Sequence, residues 1–113
     1  MTPERDPTDD RLHYEVAFLP SAARQFEQLP LVGRRPVATA IDGLTTEPRP
    51  AGAKLLSGTS DERIWRLAVG EFRILYRVTD AALIVLIIRV ANRREVYNST
   101  TIKRLLKQLR GTR

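Results

Sequence analysis

Two β-rich runs, Arg63 to Val69 and Phe72 to Thr79, are separated by only Gly70-Glu71, and this spacing constrains the fold more than any other feature of the chain. A two-residue connection with glycine first favours a type II′ hairpin. Once the turn is set, register and faces follow from the two-residue period of a strand. Val69 then faces Phe72, Ala68 faces Arg73 and Arg66 faces Leu75. One face carries Trp65, Leu67, Val69, Phe72, Ile74, Tyr76 and Val78, all apolar, and must be buried. The other carries Ile64, Arg66, Ala68, Arg73, Leu75, Arg77 and Thr79. Arg66 and Arg73 become diagonal neighbours roughly 7 to 8 Å apart at the backbone, close enough for two guanidinium groups to converge on one phosphate. No acidic residue shares that hairpin face. The competing reading pairs each arginine with a carboxylate elsewhere and leaves the face as solvated surface.

The rest of the chain supplies what this hairpin packs against. Residues 1–13 combine Pro3, Pro7 and the acidic Glu4, Asp6, Asp9 and Asp10 with almost nothing apolar, a composition that does not offset the entropy of ordering and reads as a flexible tail. From Tyr14 to Leu19 apolar residues alternate as in a first strand, ended by Pro20. Ser21 is positioned to cap a helix with Ala22, Phe26 and Leu29 on one stripe and Arg24, Gln25 and Glu27 toward water. Pro30 closes that helix, and a second stripe follows at Val37, Ile41 and Leu44, with Pro36 expected in its first turn, where a missing N–H costs nothing. Glu47-Pro48 marks its end, and Pro48 to Gly58, Lys54 included, reads as punctuation and loop. Leu83 to Val90, nearly all aliphatic, reads as a buried strand. Ile102, Leu105, Leu106 and Leu109 recur at helical spacing among Lys103, Arg104, Lys107 and Arg110, which gives a basic amphipathic C-terminal helix over 99–113. The element order is β-α-α-β-β-β, an α+β domain with a helical hairpin laid on a sheet.

Nineteen Lys and Arg against thirteen Asp and Glu give a net charge of +6, which favours polyanionic partners and makes nucleic acid the leading candidate. The absence of cysteine excludes disulfide scaffolds and thiolate metal sites, and no metal site or cofactor is expected. The longest apolar stretch, Ala81 to Ile88, is too short to span a bilayer, and residues 1–10 do not look like a signal, so a soluble cytoplasmic protein without a membrane partner is expected.

A second cationic cluster, Arg89-Val90-Ala91-Asn92-Arg93-Arg94-Glu95-Val96-Tyr97, follows the last strand. If 93–97 form a helical turn, Arg93 and Tyr97 share a face and offer a phosphate ligand beside a ring on which a base can stack. In the alternative the turn caps the strand and the tyrosine tucks into the core.

Together these elements and motifs resemble the RelE/ParE toxin superfamily. The resemblance rests on Tyr14-Glu-Val-Ala-Phe, the Ser21-Ala-Ala-Arg helix start with Leu29, Leu44…Glu47-Pro48, Lys54-Leu-Leu-Ser-Gly58, Trp65-Arg-Leu-Ala-Val-Gly-Glu-Phe-Arg-Ile-Leu-Tyr76 and Arg93-Arg-Glu-Val-Tyr97. It spans residues 14–98 and implies one RelE-like toxin domain there, a twisted antiparallel sheet with helices on one side and an active cleft on the other. The family's RelE branch cuts messenger RNA in the ribosomal A site. Carried over position by position, the resemblance implies catalytic roles for Arg66, Arg73, Arg93 and Tyr97; Lys54, whose family counterpart is more often structural, and Arg77 and Arg94 are further candidate RNA-binding residues of this chain. Ile64 stands where well-known relatives carry lysine, and Asn92 where many carry histidine, which leaves the acid–base assignment open.

The implied reaction is metal-independent transesterification, in which the 2′-hydroxyl attacks the adjacent phosphorus and leaves a 2′,3′-cyclic phosphate and a free 5′-hydroxyl. The resemblance also implies a cognate RelB-like antitoxin, the ribosome and mRNA as partners, in a toxin–antitoxin hetero-oligomer. Two other readings remain: a ParE-like inhibitor of DNA gyrase that cuts no RNA, and a non-catalytic relative.

Overall fold

A computed structural model describes residues 13–56, 63–95 and 107 of the 113-residue chain. The acidic segment 1–12, the loop residues 57–62, Tyr97 and, apart from Lys107, the expected C-terminal helix lie outside the described residues. The elements are β1 (Glu15–Phe18), α1 (Pro20–Glu27), α2 (Leu31–Gly43), β2 (Lys54–Leu55), β3 (Trp65–Val69), β4 (Phe72–Thr79) and β5 (Ile84–Asn92). They form an α+β fold with a five-stranded sheet in the order β1-β5-β4-β3-β2.

The hairpin has the register its turn dictates: Val69 pairs with Phe72, Ala68 with Arg73 and Arg66 with Leu75. Gly70 has φ +57°, whereas Glu71 is not among the positive-φ residues, the combination a type II′ turn requires. On the helix side of the sheet, Ile74, Tyr76, Val85, Ile87 and Val90 pack with Ala22, Leu29, Val37, Ile41 and Leu44 in one buried core. The helical stripes read from the sequence therefore face inward as expected. Phe26, half-buried, meets Phe18 of β1 with ring centroids 5.9 Å apart.

Several local expectations are corrected. The sheet is mixed rather than wholly antiparallel, because β1 lies parallel to β5 at the sheet's edge. Periodicity marks a strand but carries no information on which neighbour it chooses. Ser21 is not the cap of α1: Leu19 is, without a side-chain bond, and Pro20 opens the first turn, where its fixed φ and missing N–H suit the helix start. Pro30 likewise precedes α2 and its carbonyl accepts from the N–H groups of Gly33 and Arg34, both at 2.8–2.9 Å. The second helix therefore starts earlier than expected and Pro36 falls inside it. The hydrogen bond Pro36 forgoes would have ended on Val32, a residue 84% exposed, where water can replace it. Arg34 ties the two helices by donating to the carbonyls of Glu27 and Leu29. Gly33 allows α2 to approach the hairpin closely, since a Cβ there would come within 2.3 Å of the Phe72 ring.

Gln25, expected to face water, turns inward instead. Strand β1 ends at Phe18, opposite Ile87, so β5 runs on without a neighbour on that side. The Val90 N–H is taken up by Gln25 Oε1 at 2.9 Å, which satisfies a backbone donor that the sheet leaves over. Lys54-Leu55, expected in a loop, forms a short edge strand antiparallel to β3.

The segment between α2 and β2 is fastened by a polar cluster. Arg49 donates to both carboxylate oxygens of Asp80, at 3.1 and 2.7 Å, and Tyr14 Oη donates to Asp80 Oδ1 at 2.7 Å. The Arg49 guanidinium also sits 5.7 Å from the Trp65 ring centroid. Arg49 and then Tyr14 hold the Asp80 carboxyl below its ordinary range, and the bond to Asp80 raises the Tyr14 hydroxyl. Beside them Tyr76, fully buried, donates to the Pro48 carbonyl at 2.7 Å. Burial pushes the Tyr76 hydroxyl up to about 12, against a smaller opposing influence from Arg49.

Two outcomes follow for Tyr76. Replacing it with Phe removes one donor and strands the Pro48 carbonyl, so chemical denaturation should show a loss of about 1 kcal/mol. Because the folded chain holds the tyrosine proton beyond the pH near 10 at which an unfolded chain releases it, this group leaves stability unchanged below pH 10 and lowers it as pH rises toward about 12. Thermal midpoints measured across that interval should fall in the wild type and fall less in Tyr76→Phe.

Candidate functional site

The face of the sheet turned away from the helices gathers cations because residues of one parity on β2, β3, β4 and β5 point the same way. Lys54 pairs with Arg66, Arg66 with Leu75, and Leu75 with Arg89, so three cations lie in one row across four strands. Arg73 stands in the neighbouring row, between Ala68 and Ala91. A shallow concavity is lined by Gly52, Lys54, Arg66, Ala68 and Arg73. The small side chains of Gly52 and Ala68 leave room between the long cationic ones. Arg77 lies one pleat further along the same face, opposite Leu86 and diagonal to Arg66. Among the described strand residues of this face, Glu15 on the far edge is the only acid.

Beneath the cations is an apolar floor. Ile64 and Leu75, on the hairpin face expected to meet solvent, are 2% and 1% exposed. That face is therefore a partly dehydrated surface with arginines at its rim, and cations at such a boundary interact more strongly with anions than they would in bulk water. Arg89 is the most affected: burial lowers its pKa, and its Nε is buried with no hydrogen-bond partner. A guanidinium stays charged despite such a shift.

Individual side chains are held in different ways. Arg73 Nη1 donates to the carbonyls of Gly70 and Phe72, each at 2.9 Å, which draws its guanidinium back to the hairpin turn. Arg93 leaves β5 beside the same turn: its N–H donates to the Glu71 carbonyl at 2.9 Å, and its Nε lies 3.1 Å from Glu71 Oε2. Arg93 is thus paired with a carboxylate of the turn. Arg94 donates its N–H to Asn92 Oδ1 at 3.0 Å, and the Glu95 N–H reaches the Asn92 carbonyl at 2.9 Å. Asn92, standing where many relatives carry histidine, therefore organises the turn as a side-chain acceptor. Arg89 Nη2 adds a bond to the Glu95 carbonyl at 3.2 Å.

Of the residues singled out from sequence, Lys54, Arg66 and Arg73 come together around one concavity, Arg77 shares their face, and Arg93 and Arg94 occupy the turn at its end. Tyr97 lies outside the described residues. Arg89 and Glu71 were not assigned a role from sequence. Placing Arg89 needs the β4–β5 register, and a bulge between Leu75 and Tyr76 shifts that register within the strand. Glu71 could have been suspected from its place in the turn, but its pairing depends on where β5 ends. No three His, Asp or Glu side chains group to hold a metal among the described residues, and no helix among them is long and apolar enough to cross a membrane.

Comparison with known proteins agrees with this architecture. The family model for the ParE toxin of type II toxin–antitoxin system, parDE, matches residues 12–97. The toxin–antitoxin complex RelBE2 of Mycobacterium tuberculosis contains a chain 30% identical, with a TM-score of 0.64 over 77% of this chain and 99% of that one. The archaeal RelE–RelB complex of Pyrococcus horikoshii OT3 gives 24% identity and a TM-score of 0.64 over 75% and 100%. A mutant of the Escherichia coli toxin RelE in the free state gives 20% and 0.66 over 87% and 99%, a likeness of fold alone. No curated protein matches significantly. With its family model covering most of the chain and its sheet, helices and cationic face arranged as described, the chain belongs to the RelE/ParE family of type II toxin–antitoxin toxins.

Proposed function

We propose that this toxin is a ribosome-dependent endoribonuclease that cleaves mRNA in the A site and so inhibits translation. The observation that carries the reading is the convergence of Lys54, Arg66 and Arg73 on one concavity of the sheet face. A phosphodiester passing to a pentacoordinate phosphorane gains negative charge, and cations fixed in advance around it stabilise that state more than the ground state.

In this reading the 2′-hydroxyl of the bound nucleotide attacks the adjacent phosphorus. Its oxygen–phosphorus bond forms as the bond to the 5′-oxygen breaks, giving a 2′,3′-cyclic phosphate and a 5′-hydroxyl. Arg66 and Arg73 stabilise the phosphorane oxygens, Arg93 attends the leaving oxygen, and Tyr97 stacks on the reacting nucleotide and, as phenolate, takes the 2′ proton, while water supplies the proton that the departing 5′-oxygen needs. Lys54, Arg77 and Arg94 contact flanking phosphates. Arginine hardly titrates and so cannot serve as a neutral-pH proton relay. Much of the rate must then come from positioning, which the ribosome provides by holding the message in a fixed geometry. The partners are the ribosome, mRNA and a RelB-like antitoxin in a hetero-oligomer, and the site of action is the cytoplasm.

A ParE-like action on DNA gyrase is the second reading, favoured by the family model that matches the chain. Mapping mRNA ends shortly after induced expression separates the two. The ribonuclease reading expects new 5′ ends at codon positions, abolished together with toxicity by Arg73→Ala, whose loss of one charge-stabilising donor should slow cleavage by about 10²- to 10³-fold, and by Tyr97→Phe. Intact transcripts alongside gyrase-trapped DNA breaks would overturn it. Binding to single-stranded RNA should weaken linearly with the logarithm of salt concentration, and Lys54→Gln should reduce that slope by about 0.7. An unaltered slope would remove Lys54 from the phosphate contacts.

A further inference from the structure

One two-residue turn holds two arginines. The Gly70 carbonyl accepts from Arg73 Nη1 at 2.9 Å. Glu71, the next residue, addresses Arg93 twice, by its carbonyl to the backbone N–H at 2.9 Å and by its carboxylate Oε2 to the side-chain Nε at 3.1 Å. Gly70 takes the positive φ that closes this turn. From the other side, Arg89 Nη2 reaches the Glu95 carbonyl at 3.2 Å and steadies the segment that carries Arg93.

The ion pair does little for the fold. Its side chains are 51% and 64% exposed, and solvated pairs of this kind contribute little to stability. Its effect falls on the conformation of Arg93, a long side chain with high rotamer entropy. The carboxylate engages Nε, at the base of the guanidinium. This leaves the Nη1–Nη2 edge, the fork that matches two phosphate oxygens, for another partner.

We propose that Glu71 is a positioning residue for Arg93, gripping its Nε so that the Nη1–Nη2 fork is presented to a phosphodiester at the arginine face beside Arg73. The inference rests on reading that face as the phosphodiester site. It differs in sign from a simple charge effect, because deleting an acid from a cationic surface should by itself tighten RNA binding and favour reaction.

The test uses the full-length toxin with ribosomes carrying a defined message, and compares wild type, Glu71→Ala, Glu71→Gln, Arg93→Ala and Glu71→Ala/Arg93→Ala. Positioning predicts that Glu71→Ala slows single-turnover cleavage at saturating ribosome by about tenfold or more, the scale expected when a reacting group loses its orientation. The half-saturating concentration and the melting temperature should stay near wild type. Glu71→Gln, which keeps an oxygen acceptor for Nε, should recover much of the rate, and the double variant should be no slower than Arg93→Ala alone. Slowing that multiplies in the double variant, or that tracks a lowered melting temperature, would overturn the proposal, as would faster cleavage by Glu71→Ala.

A wild type that cuts no message rejects the ribonuclease reading and leaves the coupling to be read on binding of a 2′-deoxy oligonucleotide. An effect of Glu71→Ala seen only when Arg93 is present supports the positioning role. The same effect in both backgrounds rejects it.

Discussion

The positive φ of Gly70 is the constraint on which the rest of the molecule depends. It closes the chain in two residues, and that closure sets the pairing of β3 with β4 residue by residue. A slip of one position would turn every side chain over, sending Ile74 and Tyr76 to the outside and Arg73 into the core. The burial of one face and the collection of charge on the other are thus consequences of one event. The core side holds the helices, the helices hold α2 against Phe72 through Gly33, and the far side is left to the cations.

Lys54, Arg93 and Arg94 stand in water, whereas Arg66, Arg73, Arg77 and Arg89 are half-buried. Ile64 and Leu75 form a dry base under them, and Arg89 is drawn far enough down for burial to lower its pKa. Guanidinium is the side chain suited to such a place, since it keeps its charge where an ammonium would be pressed to give it up. Charge concentrated over apolar material creates a demand for an anion that solvent meets poorly.

The parts of this fold that were legible in the sequence are those governed by local geometry. The hairpin register follows from counting outward from Gly70-Glu71, and the stripes at Val37, Ile41 and Leu44 follow from the helical period. What could not be read depended on partners distant along the chain. Nothing in Glu15–Phe18 announces that it runs parallel to β5, and only once that pairing is known does it become clear that Val90 lacks a neighbour and that Gln25 must turn inward to meet it. The helix starts were misplaced for a different reason: Ser21 is a good cap in isolation, but Pro20 and Pro30 impose their own starting points. In the site, Arg66 and Arg73 were visible from the hairpin alone. Lys54 became their neighbour only through β2, Arg89 only through the bulged β4–β5 ladder, and Glu71 only where the end of β5 returns to the turn.

The edge position of β1 also bears on when this protein can become harmful. Among the described residues its only strand partner is β5, so most of the chain separates the two pieces that must meet. Hairpins close from nearby residues, whereas a contact of this span must await nearly complete synthesis. While the ribosome is still making the chain, β1 has emerged and its mate has not, and the helices that rest between them lack half of their support. A newborn chain of this design stays unfinished until β5 is out.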